Sequence, residues 1–184
     1  MSDLINPPLI WIDCEMTGLD PDQNTILEIA CIITDASLSI INKSENIIIK
    51  QSAYILESMD EWNQKHHKNS GLYEESLKSD IDLSTAESLL LRFISSLVPP
   101  GISPMCGNSI AQDRAFLKKY MPKLENYFHY RNIDVSTVKE LAKRWRPDLM
   151  ELFIKKNTHR ALDDIEESIQ ELVFYKENFF FITT

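Results

Sequence analysis

Several components are scarce in this chain of 184 residues, and each scarcity excludes a class of protein. Four glycines and eight prolines are too few for a collagen-like, low-complexity or disordered chain. There is no run of about 18 apolar residues, so the sequence predicts no membrane-spanning helix. The start, Met1-Ser2-Asp3, lacks the positive region of a signal peptide. What remains, 43% hydrophobic and 26% charged residues, predicts one globular domain over residues 1–184.

Cysteine is scarce as well, and Cys14, Cys31 and Cys106 form no CxxC pair. An odd number of cysteines, each inside an apolar segment, argues against a disulfide framework or a zinc site. Buried free thiols are typical of a reducing compartment. We therefore expect a cytoplasmic protein.

Basic charge is in deficit, with 19 lysines and arginines against 28 acids and a net charge of −9. This balance argues against a broad, non-specific nucleic-acid binder. The deficit is uneven, because residues 1–112 carry 6 basic and 16 acidic side chains whereas residues 113–164 carry 12 and 8. Any anion-binding surface should therefore come from residues 113–164, while the acidic remainder suits either metal chelation or solubility.

The pattern of apolar residues predicts an α/β layered domain with a mixed sheet. Three early strands suggest an antiparallel meander, and alternating helices and strands follow it. Residues 52–83 are polar and are expected to be irregular. Ser84 and Ser136 are interpreted as helix N-caps. The predicted strands are 9–13, 26–34, 46–51, 104–107 and 132–135, and the predicted helices are 84–98, 110–121, one that starts at 136, and 160–177.

Two carboxylates, Asp13 and Glu15, stand two residues apart at the end of the first strand. The strand period of two puts both side chains on one face, where they repel each other unless a divalent cation lies between them. This pattern alone is common on solvated edges. Asp113 is more informative, because helical spacing places it beside Phe116 in an apolar stripe. A buried carboxylate needs a cation or strong donors, so metal binding remains open beside pairing with Arg114 or with a nearby backbone amide.

The last helix offers two more acids, Asp163 and Asp164. Asp163 lies opposite the apolar face and Asp164 at its margin, which favours Asp164 as the inward carboxylate. His159, just before this helix, is either a helix-end histidine without a chemical role or a general base. Four such carboxylates could hold two Mg²⁺ or Mn²⁺ ions, which would clamp the attacking and leaving oxygens of a phosphodiester. Spacing alone therefore gives the hypothesis of metal-dependent phosphodiester hydrolysis.

The motifs around these acids resemble those of the DEDDh 3′→5′ exonucleases of the ribonuclease H-like superfamily. The three motifs are Asp13-Cys14-Glu15, Asp113 and His159-Arg160-Ala161-Leu162-Asp163-Asp164. The segments 11–21, 106–113, 128–131 and 134–137 are most similar to a branch of the family that acts on very short RNA, and the similarity covers about residues 9–178. The resemblance implies a ribonuclease H-like exonuclease fold, with a central mixed five-stranded sheet flanked by helices.

The resemblance also implies a role for each matching position. Asp13, Glu15, Asp113 and Asp164 would hold two divalent cations, Mg²⁺ or Mn²⁺, and His159 would be the general base. The family's histidine precedes its last aspartate by five positions, which again selects the second of the paired aspartates.

Contacts with a short RNA follow from the same resemblance. Leu19 would wedge against the bases and Trp62 would stack on one, with little sequence preference. Ser109, Arg131 and Ser136 would close around the 5′-phosphate end. Arg131 could bind phosphate through two nitrogens, and a helix start at Ser136 would add free N–H donors. A closed phosphate pocket would explain a preference for dinucleotides.

Tyr130 resembles a tyrosine that reaches across a dimer interface into the partner's site, which implies a catalytically required homodimer. Several of these residues also have an alternative without function. Trp62 can be a partly buried surface aromatic, Tyr130 and Arg131 can pack together on the surface, and Ser136 is expected to be a helix cap in either case. His67 matches a family position, but we assign it no catalytic role.

The sequence thus predicts a hydrolase: a 3′→5′ exoribonuclease that degrades short oligoribonucleotides, dinucleotides above all, to 5′-mononucleotides. Its expected partners are short RNA and a second copy of the chain, with no membrane. One alternative is a DEDDh exonuclease on longer DNA or RNA, which should need larger basic patches. The other is a non-catalytic module that binds short nucleotides, which would have no need of repelling carboxylates.

Overall fold

The computed structural model of the protein describes residues 7–153 and 160–180. The described strands are β1 (Leu9–Met16), β2 (Ile26–Thr34), β3 (Ile40–Lys43), β4 (Ile47–Ile48), β5 (Met105–Gly107) and β6 (Asn132–Asp134). The described helices are α1 (Ala53–Glu57), α2 (Glu61–Asn69), α3 (Leu72–Lys78), α4 (Leu83–Ser95), α5 (Ala111–Tyr120), α6 (Pro122–Glu125), α7 (Val135–Trp145) and α8 (Ala161–Asn178), with a 3₁₀ helix at Pro147–Glu151.

The strands form one mixed sheet in the order β3-β2-β1-β5-β6, with β4 also paired to β2. β1 pairs antiparallel with β2 and parallel with β5, and β5 pairs parallel with β6. All nine residues of β2 are buried, as expected for a strand covered on both faces of a sheet. The expected α/β class and mixed sheet are confirmed.

Two apolar clusters cover the two faces of this sheet. Ile10 and Ile12 of β1 pack with residues of α4, α5 and α6, whereas Trp11 between them packs with residues of α7 and α8. This alternation follows from the strand period of two. The helices of the two clusters therefore sandwich the sheet. Among the described residues, every helix is too short or too polar to traverse a bilayer.

Within residues 7–153 and 160–180 the sheet has six strands rather than the expected five. β3 and β4 pair with different stretches of β2, so the two short strands share one edge position beside it. The expected strand 46–51 is strand only at Ile47–Ile48, and β3 was missed because its four residues are all exposed and carry no apolar alternation.

Residues 52–83 are helical over much of their length rather than irregular, because they form the short helices α1, α2 and α3. Two of these helices begin at side-chain caps, where Ser52 accepts from the backbone N–H of Ile55 and Asp60 from that of Asn63. The cap assignments at Ser84 and Ser136 are wrong. The cap of α4 is Asp82 and that of α7 is Asp134, and each is an aspartate whose carboxylate accepts a backbone N–H inside its helix.

Candidate active site

The carboxylates of Asp13, Glu15 and Asp164 converge at the end of β1, where oxygens from all three lie within 4.8 Å of one another. β1 places Asp13 and Glu15 on one face, as their spacing predicts. Asp164 arrives from the first turn of α8, the helix packed against β1 and β2. The structure therefore brings together three of the four predicted metal ligands.

The fourth predicted ligand, Asp113, approaches from α5 and is buried. Its Oδ1 accepts the backbone N–H of Cys14 at 3.0 Å, which ties α5 to the residue between the two strand acids. Arg114 does not pair with it, because the Arg114 Nε donates to Glu125 at 2.9 Å. The pairing with Arg114 is thus wrong, whereas the expected alternative partner, a nearby backbone amide, is observed. Metal binding by Asp113 stays a prediction.

Burial, together with neighbouring carboxylates, raises the pKa values of three of these acids, Asp13, Glu15 and Asp113. Burial is the main cause of a raised pKa at Asp13, and the carboxylates of Asp113 and Glu15 add to it. Burial, followed by the charges of Asp164 and Glu28, raises the pKa of Glu15 to about 8. Burial also raises the pKa of Asp113 to about 7, although the N–H of Cys14 opposes the shift. A bound cation would lower these raised pKa values and stabilise the ionised carboxylates.

A hard divalent cation fits this donor set. Mg²⁺ and Mn²⁺ prefer carboxylate oxygens, and the three clustered acids offer only such oxygens at the separation that one ion can bridge. The three cysteines are buried as free thiols, and burial raises the pKa of each, so they do not offer thiolate ligands. The site is therefore suited to a metal bound through oxygen.

A buried anchor fixes the start of α8 and hence the position of Asp164. Glu28 lies opposite Glu15 in the register of β1 and β2. It is fully buried, accepts the backbone N–H of Ala161 at 3.0 Å, and pairs with Arg160 at 2.9 Å. We did not identify Glu28 from sequence, although a lone acid inside a nine-residue apolar strand was a usable signal.

His67 was set aside on sequence grounds, yet it is buried beside the site. Its Nε2 lies 2.9 Å from the carbonyl oxygen of Met16, and its Nδ1 lies 4.0 Å from Glu15 Oε2. This contact docks α2 on the end of β1. The same helix carries Trp62, whose side chain is 61% exposed and whose ring centroid lies 3.9 Å from that of His66.

Leu19 lies in the turn after β1 with 75% of its surface exposed. The side-chain amide of Gln112, next to Asp113 in α5, donates to the carbonyl of Leu19 and fixes the turn beside the acids. The Tyr120 hydroxyl reaches the carbonyl oxygen of Asn24 at 2.5 Å on the far side of the same turn. Exposed apolar side chains held on braced backbone suit contact with a flat ligand such as a base.

Ser109 and Ser136 meet, with their hydroxyl oxygens 3.1 Å apart. Ser109 has a positive φ of 51°, which is costly for a residue other than glycine and marks a constrained backbone. The Asp134 carboxylate holds it there by accepting the N–H groups of both Ser109 and Ser136. This overturns one expectation, since the N–H of Ser136 is already bonded to Asp134 and is not a free donor.

Tyr130 and Arg131 lie on the exposed loop before β6. Tyr130 is 72% exposed, and the guanidinium of Arg131 lies 5.2 Å from its ring centroid. Arg114, the neighbour of Asp113, donates to the carbonyl of Tyr130 at 3.1 Å and to Asn132 Oδ1 at 2.7 Å. The loop is thus braced from the helix that carries an acid of the site. His159, the predicted general base, lies outside the described residues.

Comparison with known proteins identifies the family of this chain. A family model described as Exonuclease matches residues 10–172, and the chain belongs to that family. Structures of Escherichia coli exonuclease I share its fold: one in complex with single-stranded DNA and zinc has a TM-score of 0.72 and 15% identity, covering 94% of this chain. The chain spans only 41% of that structure.

Within the family, several curated relatives are oligoribonucleases. The oligoribonuclease of Alcanivorax borkumensis is 56% identical over 93% of this chain and 94% of its own length. That of Shewanella loihica is 56% identical over 94% and 95%, and that of Legionella pneumophila strain Corby is 53% identical over 95% and 93%. The predicted family is confirmed, and the protein is a hydrolase of the nuclease class.

Proposed function

We propose that the protein hydrolyses short oligoribonucleotides from the 3′ end, dinucleotides above all, to 5′-mononucleotides. The observation that carries the proposal is the convergence of Asp13, Glu15 and Asp164 within 4.8 Å, at a strand end flanked by the Ser109–Ser136 pair. The names of the relatives supply the substrate class. A repelling acid cluster would be a liability to a protein that only binds nucleotides.

In this proposal Asp13, Glu15, Asp113 and Asp164 hold two divalent cations, Mg²⁺ or Mn²⁺. Such ions supply charge stabilisation for an in-line displacement at phosphorus. Asp113 additionally orients the backbone between the two strand acids through its bond from Cys14. His159 takes the proton from the attacking water, which is the role that a histidine can fill near neutral pH.

The substrate would lie between two groups of side chains. Leu19 and Trp62 are exposed on braced backbone and would contact the bases without reading their identity. Ser109, Arg131 and Ser136 would hold the 5′-phosphate. Because Asp134 already binds the backbone N–H groups there, the Ser109 hydroxyl and the Arg131 guanidinium would make the phosphate contacts, with Ser136 supporting Ser109.

A product analysis tests this function directly. The purified protein, with Mn²⁺, is given 5′-labelled RNAs of two, five and twelve nucleotides, and the products are resolved over time. We expect fast cleavage of the dinucleotide, slow decay of the twelve-mer and no reaction in EDTA.

In Arg131→Ala the rate on the dinucleotide should fall about tenfold, because one charged hydrogen bond is lost. Arg144→Ala, which removes an exposed pair with Glu140, is the control and should not change this rate.

Other outcomes of that assay identify the competing functions. Faster processing of the twelve-mer, with the dinucleotide left as an end product, would move the protein to the exonucleases of longer strands. Binding of the dinucleotide without any cleavage in Mn²⁺ would make it a binding module.

The proposal includes a homodimer in which Tyr130 completes the partner's site. Its support is a large aromatic side chain, 72% exposed, on backbone held in place by Arg114. Subunit mixing tests this. Asp13→Asn and Tyr130→Ala should each be inactive alone, but after mixing, the heterodimer has one site with intact acids and a donated tyrosine. With equal amounts and random exchange, about half of the dimers are heterodimers with one complete site each, so we expect about a quarter of the wild-type activity to return. No recovery would refute the exchange.

The three cysteines are buried and unpaired in the structure. Such thiols suit a reducing compartment, and a cytoplasmic location is part of the proposal.

A further inference from the structure

The side chain of Asn108 lies between the Ser109–Ser136 pair and helix α8. Its Oδ1 accepts the Ser136 hydroxyl at 3.0 Å, and its Nδ2 donates to the Ser168 hydroxyl at 2.8 Å. Ser168 in turn donates to the backbone carbonyl of Asp164 at 2.7 Å. These three hydrogen bonds run in one direction, from the serine pair to the backbone of an acid of the cluster.

The surroundings fix the orientation of the Asn108 amide. Its Nδ2 also lies 3.2 Å from Oε2 of Glu171, a fully buried carboxylate. A carboxylate only accepts, so the amide nitrogen must face Glu171 and the amide oxygen must face Ser136. Lys139 at 3.3 Å and the Tyr175 hydroxyl at 3.1 Å hold Glu171 from its other side. These contacts therefore hold the Asn108 amide in one orientation.

The orientation of the Asn108 amide determines which of the two serine hydroxyls can donate a hydrogen bond to a ligand. The only hydroxyl proton of Ser136 goes to Asn108, so the Ser136 oxygen accepts from the Ser109 N–H at 3.0 Å. Across the 3.1 Å contact between the two hydroxyls, Ser109 is then the donor. The exposed Ser109 hydroxyl is thus the one whose proton can turn towards an anion, while Ser136 supports the loop.

We propose that Asn108 is a positioning residue for recognition of the 5′-phosphate: it holds Ser136, and through it Ser109, at a fixed distance from the helix that carries Asp164. The inference rests on the proposed function of the Ser109–Ser136 pair. It predicts that removing the Asn108 amide weakens selection for a 5′-phosphate although Asn108 itself does not touch the substrate.

The test compares kcat/KM for a diribonucleotide with a 5′-phosphate and for the same dinucleotide with a 5′-hydroxyl. Asn108→Ala should lower the ratio of the two values about tenfold, mainly through the KM of the phosphorylated substrate. Ser136→Ala should lower it too, and the double variant should lose no more than the larger single loss, since Asn108 acts through Ser136. Asn126→Ala, which removes an exposed amide bonded to the carbonyl of Pro122, is the matched control and should keep the ratio.

Each other result is informative. If Asn108→Ala lowers kcat/KM equally for both substrates, Asn108 is only structural and the inference is overturned. If the wild-type protein does not distinguish the two dinucleotides, the phosphate role of the serine pair fails, and the inference fails with it. Should Asn108→Ala not fold, Ser168→Ala removes the shorter of the two hydrogen bonds that anchor the amide nitrogen, without changing Ser109 or Ser136. It should lower the ratio by about threefold, half the free energy of one such bond, and an unchanged ratio there would contradict the inference.

Discussion

Replacing Glu15 by glutamine is expected to abolish hydrolysis and, in the absence of metal, to make the fold more stable. The loss of activity should be at least about 10³-fold, because the variant loses a charged oxygen from a cluster of three within 4.8 Å. The gain in stability follows from the raised pKa of about 8 at Glu15, caused by burial and by the neighbouring carboxylates. Ionised Glu15 destabilises the metal-free folded state, whereas glutamine does not ionise.

The sign of this effect sets its pH dependence. A carboxyl group whose pKa is higher in the folded chain than in the unfolded chain makes the folded state less stable as pH rises between the two values. For Glu15 that interval runs from 4.5 to about 8. The advantage of Glu15→Gln should therefore be small near pH 4.5 and reach about 3 kcal/mol by pH 7, or several degrees in Tm. Thermal unfolding in EDTA across this range measures it.

Two further variants separate metal binding from chemistry. Mn²⁺ should raise the Tm of the wild-type protein, since a ligand that binds only the folded state stabilises it, and should do so far less in Glu15→Gln. Asp163→Asn, next to Asp164 but exposed, is the matched control and should behave as wild type. His159→Ala should lose about 10²-fold or more in rate yet keep the response to Mn²⁺. An unchanged Mn²⁺ response in Glu15→Gln would remove Glu15 from the metal site.

The acids of the site were predictable because each carries its own local signal. The spacing of Asp13 and Glu15 fixes a common face on any strand, and the position of Asp113 in an apolar stripe predicts its burial on any helix. Asp164 was separated from Asp163 by the same helical geometry. None of these inferences required knowing which distant element lies opposite, so the structure reproduces them.

The supporting residues were missed because their partners are remote in sequence. Glu28 meets Arg160 across 132 positions, and Asn108 meets Ser168 across 60. Ser136 appeared to be a cap because serine is a good one, but Asp134 two residues earlier competes for the same N–H and holds it. Sequence patterns predict which face of a helix or strand is buried and which residues cap a helix, whereas these contacts depend on how α8, α7 and the sheet pack together.

Arg160→Ala is expected to produce the largest loss of stability among single changes at the site. Arg160 donates to Glu28 at 2.9 Å, and the Glu28 side chain is fully buried. Burial raises the pKa of Glu28, and Arg160 is the strongest of the groups that lower it. Without Arg160 a buried carboxylate loses its charge partner, which typically costs about 3–5 kcal/mol. For a chain of this size we expect Tm to fall by about 10 °C.

The same change should also disturb the chemistry, because Glu28 and Arg160 fix the start of α8 and Asp164 lies in its first turn. Below the lowered Tm, we expect a loss of rate of about tenfold or more from the displaced carboxylate. Arg146→Ala is the matched control, since Arg146 pairs with Asp148 in an exposed position and should contribute less than about 1 kcal/mol. Adding Glu28→Gln to Arg160→Ala removes the stranded charge while keeping an oxygen for the Ala161 N–H, so it should restore much of the lost stability. Equal, small losses of stability in Arg160→Ala and Arg146→Ala would show that the buried pair of Glu28 and Arg160 does not hold α8 in place.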